Sequence, residues 1–164
     1  VYVWIIRGTP ILLQIYFFYF FVPDILPFEI NEEQCIIMAL VVNASAYIAE
    51  VIRAGIQAVD AGQREASLSL GMTEGAIMTK VIFPQAIKNI LPALGNEVIV
   101  MIKQTSLASV FFFGELMTAY KQVQSTTFLA LEPLTISGLI YLFLTVTLSR
   151  ITRHFEKRMK QNER

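Results

Sequence analysis

The chain has 164 residues, 55% hydrophobic and 16% charged, an apolar share above that of ordinary soluble domains. Thirteen basic and thirteen acidic residues cancel, so no bulk positive field recruits nucleic acid. A single cysteine, Cys35, excludes an internal disulfide, and with one histidine, His154, no metal-ligand or Cys/His catalytic spacing arises.

Val1 to Arg7 reads as a short aromatic and basic approach to a membrane, and Pro10 suits a helical first turn. Pro10 to Pro27 nearly reaches the ~20 residues a span needs, with Gln14 its strong polar interruption. A buried strand competes locally for the aromatic run Tyr16 to Phe21, but the length disfavours it. Pro23 to Gln34 reads as an acidic loop, carrying Asp24, Glu29, Glu32 and Glu33. Cys35 to about Arg53 is the next predicted span. Asn43, Tyr47 and Glu50 lie on one face of it at i, i+4, i+7, and Glu50 and Arg53 are spaced as a local ion pair.

The stretch from Asp60 to Pro92 is polar between apolar flanks. Asp60 with Gln63 reads as a capping box, and the residues after it suit a short helix. Gly71 supplies the left-handed residue that ends it. Thr73 caps a second short helix, which Pro84 is expected to stop. Ile90 to Phe113 is a third apolar segment, interrupted by Asn96, Glu97, Lys103 and Gln104 and bending near Gly114. Glu115 to Thr127 reads as a short helix plus loop. Leu129 to Leu148 is the last span, with Glu132 near its start, followed by Arg150, Arg153, Lys157, Arg158, Lys160 and Arg164.

Positive residues favour the cytoplasmic side of short loops. Arg7, the central Arg53, Arg64, Lys80 and Lys88, and the basic tail all fall on one side if the chain crosses four times. The two acidic or polar loops then fall on the other. This assigns Glu65 to Gly71 to the cytoplasm from charge alone.

Inside the spans, a carboxylate at mid-bilayer costs about 2.5–3.5 kcal/mol on insertion scales and therefore faces a cavity or a partner. Glu97 is the candidate, with Asn96 beside it and Asn43 and Tyr47 on the preceding span. Glu97 reads equally well as a structural partner of Lys88 or Lys103, or as a subunit-interface residue. Lys103, seven residues from Asn96, reads as an internal partner of that face. The chain has no phosphate-binding G-x-x-x-x-G-K-[ST] loop, so any gradient is opposed by a partner's energy or by an ion. An ion-coupled secondary transporter or channel using Glu97 and Lys103 is the alternative; a membrane hydrolase lacks its catalytic constellation.

Glu65-Ala66-Ser67, Gly71 and Phe83-Pro84-Gln85-Ala86 resemble the cytoplasmic E-A-A…G…L-P signature of ABC importer permeases. RGTPILLQ (7–14), AYIAEVIRAGI (46–56), LPALGNEVI (91–99) and KQTSLASV (103–110) resemble the branch that takes up polar amino acids such as histidine, arginine and glutamine. Ser67 departs from the third family alanine, Phe83 from a leucine, and Gln104 from an acidic residue. The resemblance implies an all-α membrane protein of the type I ABC importer permease fold. It implies a single transmembrane permease domain over 1–164, with a cytoplasmic coupling segment at 60–84. Four spans stand here, and the family's five imply that a first span precedes them.

It further implies that Glu65, Ala66, Ser67, Leu70 and Gly71 dock on ABC ATPase subunits, and that Glu97, Asn43, Asn96 and Tyr47 meet substrate. The implied partners are those ATPase subunits, a second permease subunit, an extracytoplasmic amino-acid-binding protein and the lipid of a bacterial inner membrane. The chain itself would need no cofactor and break no covalent bond.

Overall fold

The computed structural model describes residues 1–161, with side chains through residue 157; Arg164 and the side chains of Arg158 and Lys160 lie outside that description. The described residues form helices and no strand: α1 Tyr2–Gly8, α2 Ile11–Phe20, α3 Val22–Ile25, α4 Glu32–Gln57, α5 Ala61–Ser69, α6 Glu74–Ile77, α7 Phe83–Gln104, α8 Leu116–Thr127 and α9 Leu131–Gln161. A π-helical turn, Met78–Ile82, joins α6 to α7, and a 3₁₀ segment, Thr105–Phe111, follows α7.

α4 and α9 are each long and apolar enough to cross a membrane. At 1.5 Å per residue the 26 residues of α4 extend about 39 Å, beyond a hydrocarbon core of about 30 Å. Two further crossings exist if each bent pair is one span: α1 with α2, bent by 106°, and Glu74–Phe111 with α8, bent by 44°.

The first crossing differs from the expected Pro10–Pro27 span. Val1 to Arg7 is helical, and Pro10 stands at the N-cap of α2 rather than in its first turn. α2 alone has 10 residues, about 15 Å, too short to cross. The bend follows from Pro10, which has no N–H for the carbonyl of Ile6, four residues back. Gln14 answers that carbonyl instead: its Nε2 donates to Ile6 O at 2.7 Å, with Thr9 O at 3.2 Å and Thr9 Oγ1 at 2.9 Å.

α4 begins three residues before the expected Cys35, because Asn31 and Gln34 form a reciprocal capping box. α9 continues beyond Leu148 as one helix to Gln161.

Where helices meet lipid on their outer faces, association depends on close packing rather than on transfer from water. Small residues accordingly mark the crossings. A Cβ on Gly55 of α4 would stand 2.3 Å from Ile90 Cγ1 of α7, and one on Gly95 would stand 2.3 Å from Thr152 Cγ2 of α9. A second centre gathers Ile15, Ile36, Ala39 and Ala108, with Phe111 returning from the 3₁₀ segment onto Tyr16 and Tyr19 at ring separations of 4.8 and 4.5 Å.

Candidate functional site

The polar segment between α4 and α7 is built by three local devices. Asp60 accepts from Gly62 N at 2.8 Å and starts α5. The expected capping box does not close: the Asp60 carboxylate takes Gly62 N and not Gln63 N, and the Gln63 side chain faces Gln85 at 3.5 Å. At the other end Gly71 adopts φ +76°, a backbone that L side chains rarely take. Its N–H reaches Leu68 O at 2.9 Å and Met72 N reaches Ser67 O at 3.1 Å. Those two bonds are the paired closure of a Schellman motif, so the glycine ends α5 as its position predicted. Thr73 then caps α6, accepting from Ala76 N at 3.4 Å.

Pro84 does not stop the second helix, contrary to the sequence expectation. An α-helical Pro84 would press its ring on the carbonyl of Lys80. The wider π turn at Met78–Ile82, with Phe83 N bonded to Met78 O, relieves that conflict. Pro84 then sits in the tolerated first turn of α7. The helical path therefore runs unbroken from Glu74 to Gln104.

The candidate coupling residues divide by face. Glu65, Ala66 and Leu70 are exposed, Leu70 at 82%. Ser67 is buried and turns its Oγ to Gln63 O at 2.7 Å. The sequence reading missed the clamp across the turn, where Arg64 Nη2 and Nε meet Glu74 Oε1 and Oε2 at 2.6 and 3.2 Å. The signal available was a pair of opposite charges on either side of Gly71.

The candidate substrate residues are placed apart in character. Asn43 is 2% exposed, with Nδ2 donating to Gln14 Oε1 at 2.9 Å and Oδ1 buried without a hydrogen-bond partner. Tyr47, one turn on, lies under Arg7, whose guanidinium carbon is 5.4 Å from the ring centroid. Arg7 also meets Glu50 Oε1 at 3.3 Å, and Arg53 pairs with Glu50 at the expected i, i+3 spacing. This face of α4 is thus covered by α1 and α2. Asn96 is exposed and Glu97 half-buried on α7. Among the described residues Lys103 makes no ion pair with Glu97.

At the far end of α7, Lys103, Ser106, Ser109, Met117 and Tyr141 line an open cavity of about 390 Å³. Glu115 braces it, capping α8 through Met117 N and Thr118 N at 2.8 and 2.7 Å while accepting from Tyr141 Oη at 3.0 Å. Lys121 Nζ donates to Ser109 O at 2.9 Å. No cluster of three metal-ligating side chains occurs among the described residues.

Residues 1–161 match the family model described as the binding-protein-dependent transport system inner membrane component. The chain belongs to that family. It is an inner-membrane transport component, and its helices carry the spans that such a place requires. This permease is similar to the arginine transport system permease protein ArtQ of Bacillus subtilis strain 168, 41% identical over 159 residues, 97% of this chain and 73% of ArtQ. The nopaline transport system permease protein NocM of Agrobacterium fabrum is 40% identical across 92% of this chain and 66% of its own length. The glutamine transport system permease protein GlnP of Escherichia coli K12 is 37% identical across 98% and 74%. A crystal structure of an amino acid ABC transporter with histidines superposes with TM-score 0.89 at 48% identity, covering 96% of this permease and 73% of that chain. The chain thus spans about two thirds to three quarters of these relatives, 66% to 74% for the curated ones.

Proposed function

We propose that this permease forms part of the translocation path for a polar amino acid, and that Glu65 to Gly71 couples it to ATPase subunits that hydrolyse ATP elsewhere in the complex. Relatives named for arginine, glutamine and nopaline support the substrate class. A second permease subunit completes the pore, and an extracytoplasmic binding protein delivers the ligand.

The observation that carries the coupling is mechanical. The exposed face of α5, with Glu65, Ala66 and Leu70, is tied through Gly71 and the Arg64–Glu74 clamp to α6, and α6 continues without a break into α7. A partner that binds this face differently in two nucleotide states shifts the permease between two states. Ser67 contributes by closing α5 on itself, not by touching the partner.

Along the path, Glu97 is the acid offered to a substrate ammonium, with Asn96 beside it on α7. Asn43 and Tyr47 stand on the face of α4 that α1 and α2 cover, so they support the path from behind, with Asn43 Oδ1 a buried acceptor that keeps bonding capacity to spare. A carboxylate favours a cationic or zwitterionic amino acid over an anionic one.

The test is co-expression of the full-length permease with candidate ATPase subunits. Glu65→Lys and Gly71→Asp are expected to insert normally yet lose the ATPase on purification and lose ATP-driven uptake. Retained association and uptake in both variants would remove the coupling role. Uptake that follows an ion gradient without nucleotide would remove the ATP-driven reading altogether. Glu97→Ala with unchanged uptake and selectivity would remove the substrate contact alone.

A further inference from the structure

α9 carries a surface stripe whose chemistry changes along its length. Leu139, Phe143 and Val146 are exposed and spaced by four and three residues. The alternation continues with Arg150, Arg153 and Lys157, at steps of four, three and four. At 3.6 residues per turn this pattern keeps all six on one face. Only 6% of the most apolar window of α9 is buried within the chain, so the described residues leave the apolar part of the stripe open.

The basic end is shaped as well as charged. Arg150, Arg153, His154 and Lys157 surround a concavity of about 190 Å³. All four are exposed, and among the described residues no ion pair engages them. Glu156, the acid of this turn, lines the cleft with Pro92 and Asn96 of α7.

We propose that this stripe seats an anionic phospholipid of the cytoplasmic leaflet, acyl chains along Leu139, Phe143 and Val146 and phosphate among Arg150, Arg153, His154 and Lys157. The order of the two chemistries carries the assignment. The apolar part lies within the spanning length of α9, and the cations follow directly on the side where positive residues are retained. Anionic headgroups gather there and attract juxtamembrane basic clusters. A second copy of this chain seated on the stripe would set cations against cations. An acidic soluble protein would match the cations and leave the apolar part unmatched.

The test uses the full-length permease in its transporter, reconstituted in nanodiscs with spin-labelled phosphatidylglycerol or phosphatidylcholine. The motionally restricted fraction reports which lipid is held. The native protein is expected to prefer phosphatidylglycerol by at least about ten-fold, since each surface cation contributes on the order of five-fold. The triple variant Arg150→Gln, Arg153→Gln, Lys157→Gln should hold both lipids equally. If the triple variant does not accumulate in membranes, Arg153→Gln alone decides, with an expected loss of about five-fold. No preference in the native protein overturns the proposal, as does a preference that survives these substitutions. So does a variant that keeps its lipid but sheds a co-purifying protein subunit, which would make the stripe a protein interface.

Discussion

Gly55 and Ile90 occupy each other's space: a methyl on the glycine would lie 2.3 Å from Ile90 Cγ1 and 3.4 Å from the Ile90 backbone nitrogen. α4 and α7 pack at this point without a side chain from α4. Ile90 has little freedom to yield, because a β-branched side chain in a helix has one strongly preferred rotamer. Gly55→Ala is therefore expected to destabilise by about 1–3 kcal/mol, the usual penalty of overpacking. Thermal unfolding in detergent measures it. Adding Ile90→Ala should return part of the loss, so the two changes are non-additive; strict additivity would show that the contact does not hold the pair together.

Gln14 holds the carbonyl that Pro10 leaves without a donor, and Asn43 holds Gln14. Gln14→Leu removes both bonds, leaving Ile6 O only a long contact from Thr9 Oγ1 at 3.5 Å and the Asn43 amide without its acceptor. Its expected cost is about 1–3 kcal/mol, the penalty of an unsatisfied buried group. Asn43→Leu strands only Gln14 Oε1 and should cost less. Hydrogen exchange at residues 5–16 should rise in Gln14→Leu and stay near native in Asn43→Leu. The reverse order would show that the bend is held elsewhere.

Arg64 and Glu74 are exposed at 56% and 61% of their side chains. Surface pairs contribute about 0–1 kcal/mol, so Arg64→Glu should barely move the unfolding temperature. Its expected effect is on coupling: several-fold slower ATP-driven uptake, restored by Arg64→Glu with Glu74→Arg. An uptake rate that ignores both changes would leave the clamp without a role in transmission.

Glu115 does two things at once, capping α8 and accepting from Tyr141, and two variants separate them. Glu115→Ala loses the cap on α8 and the acceptor of Tyr141, and should cost about 1–2 kcal/mol. Tyr141→Phe loses one bond and should cost about 1 kcal/mol. Amide exchange at Met117 and Thr118 should accelerate in the first variant only.

What was legible in the sequence was local. Gly71 and Thr73 behave as their positions dictate, since turn and cap preferences depend on a few neighbouring atoms. The Glu50–Arg53 pair was readable for the same reason, whereas its third member, Arg7, comes from another helix. The Asn31–Gln34 box stands in the letters N-x-x-Q, while the similar D-x-x-Q at Asp60 stays open because the Asp60 carboxylate takes Gly62 N. Pro84 misled because its rule assumes an α-helix, and a π turn relaxes the rule. Asn43 and Gln14, or Tyr141 and Glu115, meet only after the helices pack, so spacing along the chain carries no trace of them. The family motifs located the polar segment, but not which of its residues face inward; Ser67 does.

The π turn at Met78–Ile82 also fixes an angle. A π turn accommodates one residue more than an α turn, and each helical residue advances by about 100° around the axis. The π turn spreads that extra residue over a wider turn, so α6 joins α7 with the faces of the two nearly in register while Pro84 is accommodated. Removing one residue between 78 and 82 would close the turn to α geometry with little net rotation, and would bring the Pro84 ring against the carbonyl four residues before it. The deletion is therefore expected to disturb the join of α6 to α7 at Pro84, where single substitutions within the turn leave the wider backbone in place.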